Sequence, residues 1–199
     1  MKQKDVIIRK AQVQDKDSLS NLIYSTEVHP ESVWGGESKE ECLEVLKELF
    51  TTKGSRYNLD YISVAEKDEV ILGAIILIPY DELDSLSMKT YMKVIHYYES
   101  IYDKFLYILN NFKYTVFREC RRGNLYIANV ATSKEARGLG VGKLLMKYAE
   151  ETAKNQELKG VSLIAKNEYV STFYEKLKYR KVFDRSILGE RLIKMAKPI

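Results

Sequence analysis

A glycine-rich segment is the part of the sequence whose residue types point most directly to chemistry. Residues 137–142 read Arg-Gly-Leu-Gly-Val-Gly and lie between a predicted strand and a predicted helix. Glycines let the main chain approach a ligand closely and present consecutive N–H groups, and a helix N-terminus adds the positive end of its dipole. The segment is therefore suited to bind a pyrophosphate group. A glycine-rich turn that binds nothing is the alternative.

Two familiar phosphate-binding loops do not match this segment. A Walker A loop requires a glycine where the chain has Arg137 and a serine or threonine where it has Leu144. The dinucleotide pattern G-x-G-x-x-G also fails, because its last glycine would fall on Lys143 or on Leu145. What remains is the pattern R-x-x-G-x-G.

Hydrophobic periodicity predicts the strands and helices that would position this loop. Short apolar runs predict strands at 6–9, 61–65, 70–78, 125–130, 161–165, 182–188 and 191–196. Apolar residues at helical spacing predict helices that start near Asp15 or Asp17 and at 39–50, 142–155 and 171–178, with a loop at 28–36. A polar turn at 67–69 and Gly189 predict two antiparallel hairpins.

A long amphipathic stretch lies between the third and fourth predicted strands. Apolar and aromatic residues recur at steps of three and four from Met88 to Phe112, which predicts one long helix or two. This helical insertion, at about 81–122, is expected to pack its apolar face on the sheet. A lid or wall over a substrate pocket is compatible with that packing, because long insertions between core strands often carry function.

Several segments, in the right order, resemble the GNAT superfamily of N-acetyltransferases. The segments that carry the resemblance are 6–11 with Asp15, 125–142, 161–167 and Phe173-Tyr174-Glu-Lys-Leu. The first is similar to the family's first strand and helix start, the second to its acetyl-CoA signature, and the last two to its second signature. The resemblance covers nearly the whole chain apart from the insertion.

The resemblance implies an α/β (α+β) fold with a central mixed, mostly antiparallel sheet of about seven strands flanked by helices. It implies a single acetyltransferase domain over residues 1–199, with the insertion between the third and fourth strands. The implied activity is transfer of an acetyl group from acetyl-CoA to a primary amine of a small molecule or peptide, by direct attack in a ternary complex. The alternative is a non-catalytic acyl-CoA-binding or sensor module, because the strand at 125–130 lacks the acid that often serves as base there.

The same resemblance implies where acetyl-CoA would bind. The fourth and fifth strands would splay apart, and pantetheine would pair with the main chain of the fourth strand at Val130, Ala131 and Thr132. The expected contacts of the pyrophosphate are Arg137, Gly138, Leu139, Gly140, Val141, Gly142 and Lys143. Asn167 would bond to pantetheine, and a plain turn residue at the end of the fifth strand is the alternative.

The resemblance also implies catalytic residues. Tyr174 is the expected proton donor to the departing thiolate, since a phenol is neutral at pH 7. Glu27 is the chosen general base, because the region between the first two helices borders the acceptor side in such folds. Further candidates are Glu31, Glu66, Tyr126, Asn129, His29 and His96, and a relay through water is another alternative. Where the family often has Gly-Phe after the tyrosine-bearing helix, this chain has Lys178-Tyr179.

Composition excludes several classes of protein. Of the 199 residues, 45% are hydrophobic and 30% are charged, which is typical of a globular domain with a buried core. Cys42 and Cys120 are too few for a disulfide scaffold or a Cys/His zinc site, so no metal is expected. The apolar run at 70–78 is too short to cross a bilayer, and residues 1–10 have no signal-peptide core. We therefore expect a soluble, cytoplasmic protein without a membrane partner.

Charge leaves the nature of the acceptor open. The 32 Lys and Arg residues exceed the 28 Asp and Glu residues by four, a balance that suits an anionic ligand as well as nucleic acid. Arg118, Arg121 and Arg122 form a small basic cluster without a nucleic-acid-binding motif, which makes nucleic acid an unexpected partner. The cluster would steer an acidic acceptor, whereas the aromatic insertion favours an apolar or cationic one. The sequence does not decide whether the protein forms a homodimer through its C-terminal strands.

Overall fold

A single β-sheet organises the chain. The strands are β1 (Ile7–Lys10), β2 (Ile62–Lys67), β3 (Val70–Pro79), β4 (Asn124–Thr132), β5 (Gly160–Ala165), β6 (Arg180–Ile187) and β7 (Glu190–Pro198). The helices are α1 (Lys16–Tyr24), α2 (Glu31–Trp34), α3 (Lys39–Thr51), α4 (Tyr80–Val94), α5 (Ile101–Phe117), α6 (Val141–Asn155) and α7 (Glu168–Lys176). The computed structural model describes residues 5–187 and 190–199, and at 112–117 and 190 it describes the backbone alone.

The sheet is mixed and mostly antiparallel, as predicted. Its strand order is β1-β2-β3-β4-β5-β7-β6. The contact between β4 and β5 is parallel, and each of the other contacts between neighbouring strands is antiparallel. The predicted pairing of β6 with β7 is confirmed, while the turn predicted at Gly189 lies outside the described residues.

Two apolar clusters cover opposite faces of the sheet. One lies between the sheet and α1, α3 and the insertion, and it includes Ile76 of β3. The other lies between the sheet and α6 and α7, and it includes Ile75 of the same strand. Neighbouring residues of β3 belong to different clusters because successive side chains of a strand point to opposite faces. β3 is therefore a central strand that is buried on both sides, which explains its nearly continuous apolar sequence.

The segment predicted to be a loop at 28–36 contains a short helix. α2 follows Pro30 and ends at Gly35, whose φ of 79° suits a left-handed C-cap. The helix places Trp34 in the core with no exposed surface. The loop prediction is therefore wrong for 31–34, because proline and glycine also occur regularly at the two ends of helices.

The insertion consists of α4 and α5, and its predicted place between the third and fourth strands is confirmed. α4 buries Leu83, Leu86 and Val94 in the same cluster as α1 and α3. α5 buries Tyr107 but leaves many large apolar side chains more than half exposed, among them Ile101, Tyr102, Phe105 and Ile108. The expectation that the insertion packs its apolar face on the sheet is thus right for α4 and wrong for these residues of α5.

Candidate functional site

β4 and β5 separate part-way along their parallel contact. They pair from Asn124, opposite Gly160, to Ile127, opposite Leu163. β4 then continues to Thr132 beside β3, and β5 continues beside β7. In the described part of the chain, the edge of β4 that faces β5 is therefore unpaired beyond Ile127. This is the splay that the family resemblance implies.

A bulge in β4 lies at the point of separation. Residues 76 and 77 of β3 are consecutive, but their partners in β4 are Asn129 and Ile127, so Ala128 is an extra residue. A bulge bends its strand and increases the local twist. The unpaired edge beyond the bulge carries the residues predicted to pair with pantetheine, which are Val130, Ala131 and Thr132.

The conformation of the loop between β4 and α6 depends on glycine. Gly138 and Gly140 have φ values of 76° and 73°, which a residue with a Cβ adopts only at a cost of about 1–2 kcal/mol. Gly140 is the N-cap of α6, and the first main-chain hydrogen bond of the helix runs from Leu144 N to Gly140 O. The N–H groups of residues 141–143 consequently have no intrahelical acceptor and lie at the positive end of the helix dipole.

Apolar side chains hold this loop on the protein while its charged side chains face solvent. Val141 is buried, and Leu139 packs against the same cluster below α6. Arg137 and Lys143 are exposed. The loop therefore presents main-chain donors and positive charge on one side and is anchored in the core on the other.

The loop, the end of β4 and α7 meet at Gly142. A Cβ built on Gly142 would lie 3.6 Å from a ring carbon of Phe173 and 3.9 Å from the methyl group of Thr132. A Cβ built on Gly138 would meet no atom within 4 Å. The unpaired edge of β4 thus leads to a loop with open space in front of it. This arrangement fits an extended ligand that ends in a diphosphate.

Tyr174 lies in α7 with its ring buried. Its ring centroid is 5.3 Å from that of Phe173 and 6.1 Å from that of Tyr179. Burial raises the pKa of the Tyr174 phenol to about 12, so the group keeps its proton at neutral pH. Because Phe173 approaches Gly142, Tyr174 also lies close to the junction of the loop with β4.

Asn167 caps α7. Its Oδ1 accepts a hydrogen bond from Val170 N over 2.9 Å, and the cap explains why α7 begins at Glu168 rather than at residue 171. The side chain is exposed and lies two residues after the end of β5. The cap uses only the oxygen, which leaves both N–H donors of the amide for a ligand. Capping and ligand binding are therefore compatible roles.

The loop after α1 lies at the separation of β4 and β5. Asn129 Nδ2 donates a hydrogen bond to Thr26 Oγ1 over 3.0 Å, and Lys166 Nζ donates to the main-chain oxygen of Thr26. Glu27, the next residue, is half-buried. Burial is the main reason that the pKa of Tyr57 is raised, and the Glu27 carboxylate adds to that rise. The structure thus brings the chosen base to the loop that contacts both of the separated strands.

The other candidate bases have different surroundings. Glu66 accepts a hydrogen bond from Arg9 Nε over 2.8 Å, and Arg9 also binds Asp15, so Glu66 belongs to an ion-pair cluster at the β1 edge of the sheet. His29 and Glu31 are exposed and lie 3.6 Å apart. The remaining candidates are Tyr126, which is buried in β4, Asn129, which contacts Thr26, and His96, which lies between α4 and α5.

A buried ion pair next to β4 was not predicted from the sequence. Arg56 and Glu119 lie 3.2 Å apart, with 10% of each side chain exposed. Arg56 also contacts Ser87 of α4 and lies 6.0 Å from the ring centroid of Tyr126. The pair ties the insertion to the linker before β4. No local pattern predicts a contact between residues 63 positions apart.

The described residues contain neither a metal-binding cluster nor a membrane-spanning helix. No group of three or more His, Cys, Asp or Glu side chains in residues 5–187 and 190–199 is arranged to hold a metal ion. Over the same ranges, no helix combines the length and the hydropathy needed to cross a bilayer.

Several solved structures that share the fold are described as acetyltransferases. One described as an acetyltransferase has a TM-score of 0.70 at 17% identity, covering 96% of this chain and 98% of its own. An N-acetyltransferase from Staphylococcus aureus Mu50 has a TM-score of 0.69 at 19% identity, covering 96% and 100%. Drosophila melanogaster polyamine N-acetyltransferase, described as forming N-acetylagmatine, has a TM-score of 0.63 at 16% identity, covering 98% and 100%.

Sequence comparison adds the family. A search of curated proteins found no match. The profile of the acetyltransferase (GNAT) family matches residues 23–179, a range that contains the splayed strands, the glycine loop and Tyr174. The chain therefore belongs to the GNAT family of acetyltransferases.

Proposed function

We propose that the protein is an acetyl-CoA-dependent N-acetyltransferase that acts on a primary amine of a small molecule or peptide. The observation that carries the proposal is the continuity between the unpaired edge of β4 and the N–H groups of residues 141–143. The two surfaces meet at Gly142, where a Cβ would lie 3.6 Å from Phe173 and 3.9 Å from Thr132. One extended ligand with a diphosphate at its end can use both surfaces at once.

The residues that would hold acetyl-CoA follow from that continuity. The main chain of Val130, Ala131 and Thr132 pairs with the amides of pantetheine as an added strand would. The loop donors at 141–143 bind the diphosphate, with Arg137 supplying positive charge from the exposed side. Asn167 contributes the Nδ2 donors that its cap leaves unused. No metal is part of this arrangement.

Bound acetyl-CoA supplies an activated acetyl thioester, and the protein supplies charge stabilisation and proton transfer. A main-chain N–H near Val130 donates to the carbonyl oxygen as negative charge develops there. Tyr174 gives a proton to the sulfur as CoA leaves, because its buried phenol, with a pKa of about 12, is fully protonated at neutral pH. Amine and thioester react directly, so both must be bound together.

The acceptor amine has to lose a proton before it attacks. An alkylamine with a pKa near 10.4 is about 0.1% neutral or less at pH 7. Glu27 is the proposed acceptor of that proton, because Thr26 beside it contacts both Asn129 of β4 and Lys166 after β5. A relay through water from Glu27 serves equally well when the amine is out of direct reach.

Calorimetry with acetyl-CoA and CoA, followed by thiol release with a panel of amines, tests the proposal. The panel contains amino acids, ω-amino acids, peptides and polyamines, with agmatine among them because of the Drosophila relative. We expect binding of acetyl-CoA and amine-dependent release of thiol. Glu27→Gln should slow this release most near pH 7, where almost all of the amine is protonated. Binding without thiol release in any member of the panel would favour the sensor alternative, and absence of binding would exclude both.

The setting of the reaction is part of the proposal. Cys42 and Cys120 are both free and buried. Free thiols suit a reducing compartment, and we place the reaction in the cytoplasm. Fractionation of cells that express the protein at its native level would test this assignment.

A further inference from the structure

An open groove lies beside the splay on the face of the sheet that carries α1. It is bounded by the linker at 118–121 and by β5, β7 and β6, and its volume is about 540 Å³. We name it the linker groove. Its lining includes Arg118, Glu119, Arg121, Ser162, Phe183 and Lys194. None of these residues has a part in the acetyl-CoA site described above.

The linker groove and the Glu27 loop lie on the same face of β5. Ser162 Oγ accepts a hydrogen bond from Arg121 N in the linker, and Lys166 donates to Thr26 beside Glu27. Tyr126, the β4 partner of Ser162, belongs to the same apolar cluster as Ile76, the β3 partner of Asn129. Ser162 and the contact between Asn129 and Thr26 therefore lie on one face of the sheet. Ser162 pairs with Tyr126, one position before the strands separate. An acceptor whose amine reaches the splay can therefore extend into the groove.

Lys194 is the central charge of the groove. Its Nζ donates to the main-chain oxygen of Arg118 over 2.6 Å and lies 4.9 Å from the ring centroid of Phe183. Lys194 pairs with Ile164 of β5, which lies one residue beyond the last residue pair between β4 and β5. Burial lowers the pKa of this lysine, and the nearby Glu119 carboxylate opposes that change. One hydrogen bond to a carbonyl leaves further N–H donors of the ammonium group for a ligand.

The net charge of the groove favours an anion. Three cations line it, Arg118, Arg121 and Lys194, against the single carboxylate of Glu119. That carboxylate is already paired with Arg56 at 3.2 Å. Among the described residues, no carboxylate lies within ion-pair distance of any of the three cations. A carboxylate on a ligand would supply the charge that the groove lacks.

We propose that the linker groove binds the carboxylate of the acceptor, so that the substrate is a primary amine carrying a carboxylate several bonds away. The proposal rests on the proposed acetyl transfer and gives it a substrate class. Strands lie about 4.8 Å apart, so a molecule reaching from β4 to Lys194 of β7 spans roughly 10 Å, or about six to eight bonds. An ω-amino acid or a short acidic peptide has this length, whereas a polyamine would place positive charge against Lys194.

Matched acid and amide acceptors test the proposal. The probes are 6-aminohexanoate, 6-aminohexanamide, the dipeptide Gly-Glu and agmatine, each assayed for kcat/KM with saturating acetyl-CoA. We expect at least a tenfold preference for 6-aminohexanoate over its amide. Gly-Glu separates a peptide substrate from a free amino acid. Equal use of acid and amide, or a preference for agmatine, would overturn the proposal.

Substitution of Lys194 locates the preference. Lys194→Met should lower kcat/KM for 6-aminohexanoate at least tenfold and change that for the amide less than threefold. The matched control is Lys197→Met on the same strand, because Lys197 is paired with Glu150 of α6 on the other face and should keep the preference. If Lys194→Met lowers kcat/KM equally for the acid and the amide, the groove does not bind the carboxylate.

Equilibrium binding separates this proposal from the proposed function. Binding of isotope-labelled 6-aminohexanoate is measured by equilibrium dialysis in the wild type and in Lys194→Met, without acetyl-CoA. Acetyl-CoA turnover without discrimination between acid and amide would exclude the carboxylate site and leave the acetyltransferase proposal intact. Failure of acetyl-CoA to bind would exclude the acetyltransferase proposal, and Lys194-dependent binding of the acid would still support the groove. Binding that Lys194→Met leaves unchanged would exclude the groove.

Discussion

Asn129 of β4 donates a hydrogen bond from Nδ2 to the hydroxyl of Thr26 over 3.0 Å. The two residues are 103 positions apart, and their contact joins the loop after α1 to β4 just beyond the bulge at Ala128. Glu27 follows Thr26 directly. A hydrogen bond between two neutral side chains therefore helps to hold the loop that carries the proposed base.

Loss of that hydrogen bond should weaken acceptor use more than acetyl-CoA binding. Thr26→Val keeps the shape of the side chain but removes the oxygen that accepts from Asn129. We expect a stability loss of about 1 kcal/mol, a several-fold rise in KM for the amine and an unchanged Kd for acetyl-CoA. Thr26→Ser is the control, because it keeps the hydroxyl, and it should behave as wild type. Equal weakening of the binding of amine and of acetyl-CoA would contradict the placement of Glu27 on the acceptor side.

Tyr174→Phe should slow the chemical step. Removing the phenol takes away the proton donor without opening a cavity, so we expect kcat to fall about 100-fold or more with little change in the KM for acetyl-CoA. Tyr179→Phe is the matched control, since it removes a neighbouring buried phenol, and its kcat should stay within twofold of wild type. A normal kcat in Tyr174→Phe would show that another group protonates the thiolate.

The buried phenol of Tyr174 should also make the stability of the protein depend on pH under alkaline conditions. Burial raises the pKa of Tyr174 to about 12, above the value of about 10 in an unfolded chain. Between these values the folded state holds a proton that the unfolded state has lost, so this group's contribution to stability disappears as the pH rises from 10 to 12. We expect urea midpoints to decline less steeply over this range in Tyr174→Phe than in wild type, and identical slopes would argue against the shift.

Asn167 should reveal its two roles through different substitutions. Asn167→Asp keeps an oxygen that accepts from Val170 N, so stability should stay close to wild type. It removes the Nδ2 donors, so the KM for acetyl-CoA should rise several-fold. Asn167→Ala removes both functions and should also lose about 1 kcal/mol of stability. If the aspartate variant binds acetyl-CoA normally, Asn167 is a helix cap and nothing more.

A side chain at Gly138 should block the diphosphate without disturbing the fold. The space around this position is open, and asparagine tolerates the left-handed backbone that Gly138 adopts. We therefore expect Gly138→Asn to melt within a few degrees of wild type and to bind acetyl-CoA at least tenfold more weakly in calorimetry. Gly123→Asn, at another left-handed glycine before β4, is the control and should leave affinity unchanged.

Asp15 should make the protein sensitive to acid. Hydrogen bonds from Arg9, at 2.7 and 3.0 Å, hold the pKa of Asp15 below its ordinary value. A lowered pKa stabilises the folded state above the unfolded value of about 3.9, and this stabilisation is lost as the pH falls through the folded value. Asp15→Asn should therefore be less stable than wild type at pH 7, and urea titrations should show the gap narrowing toward pH 3.

The control for this effect is an aspartate in the first turn of α1, the helix that Asp15 precedes. Asp17 is 85% exposed in its ion pair with Lys47, and solvent screening leaves such exposed pairs little effect on stability. Asp17→Asn should therefore follow the wild-type pH curve closely. Parallel curves for Asp15→Asn and wild type would show that the Arg9 contact adds no pH-dependent stability.

Local patterns predicted the elements that carry the site. The apolar runs of β3, β4 and β5 and the glycines of the loop act over a few residues, through strand burial and through left-handed backbone at Gly138 and Gly140. Periodicity and turn chemistry are therefore enough to predict them. α2 was missed because a four-residue helix has too few positions to show a period.

Long-range contacts could not be predicted in this way. Arg56 with Glu119 and Thr26 with Asn129 join parts of the chain that only the sheet topology brings together. The groove around Lys194 depends on the path of the linker over β5 and β7, for which no residue spacing is diagnostic. The exposure of Phe105 and Ile108 was likewise unpredicted, because helical periodicity identifies an apolar face without specifying what covers it.

The parallel contact between β4 and β5 is confined to the four residue pairs from Asn124 to Ile127. In the described chain these pairs are the seam that joins β1–β4 to β5–β7 in one sheet. A cosubstrate that lies along the rest of β4 would lengthen this contact, so its binding would strengthen the connection between the two parts of the sheet. Binding of acetyl-CoA in the proposed position would then stabilise the sheet as well as complete the active site.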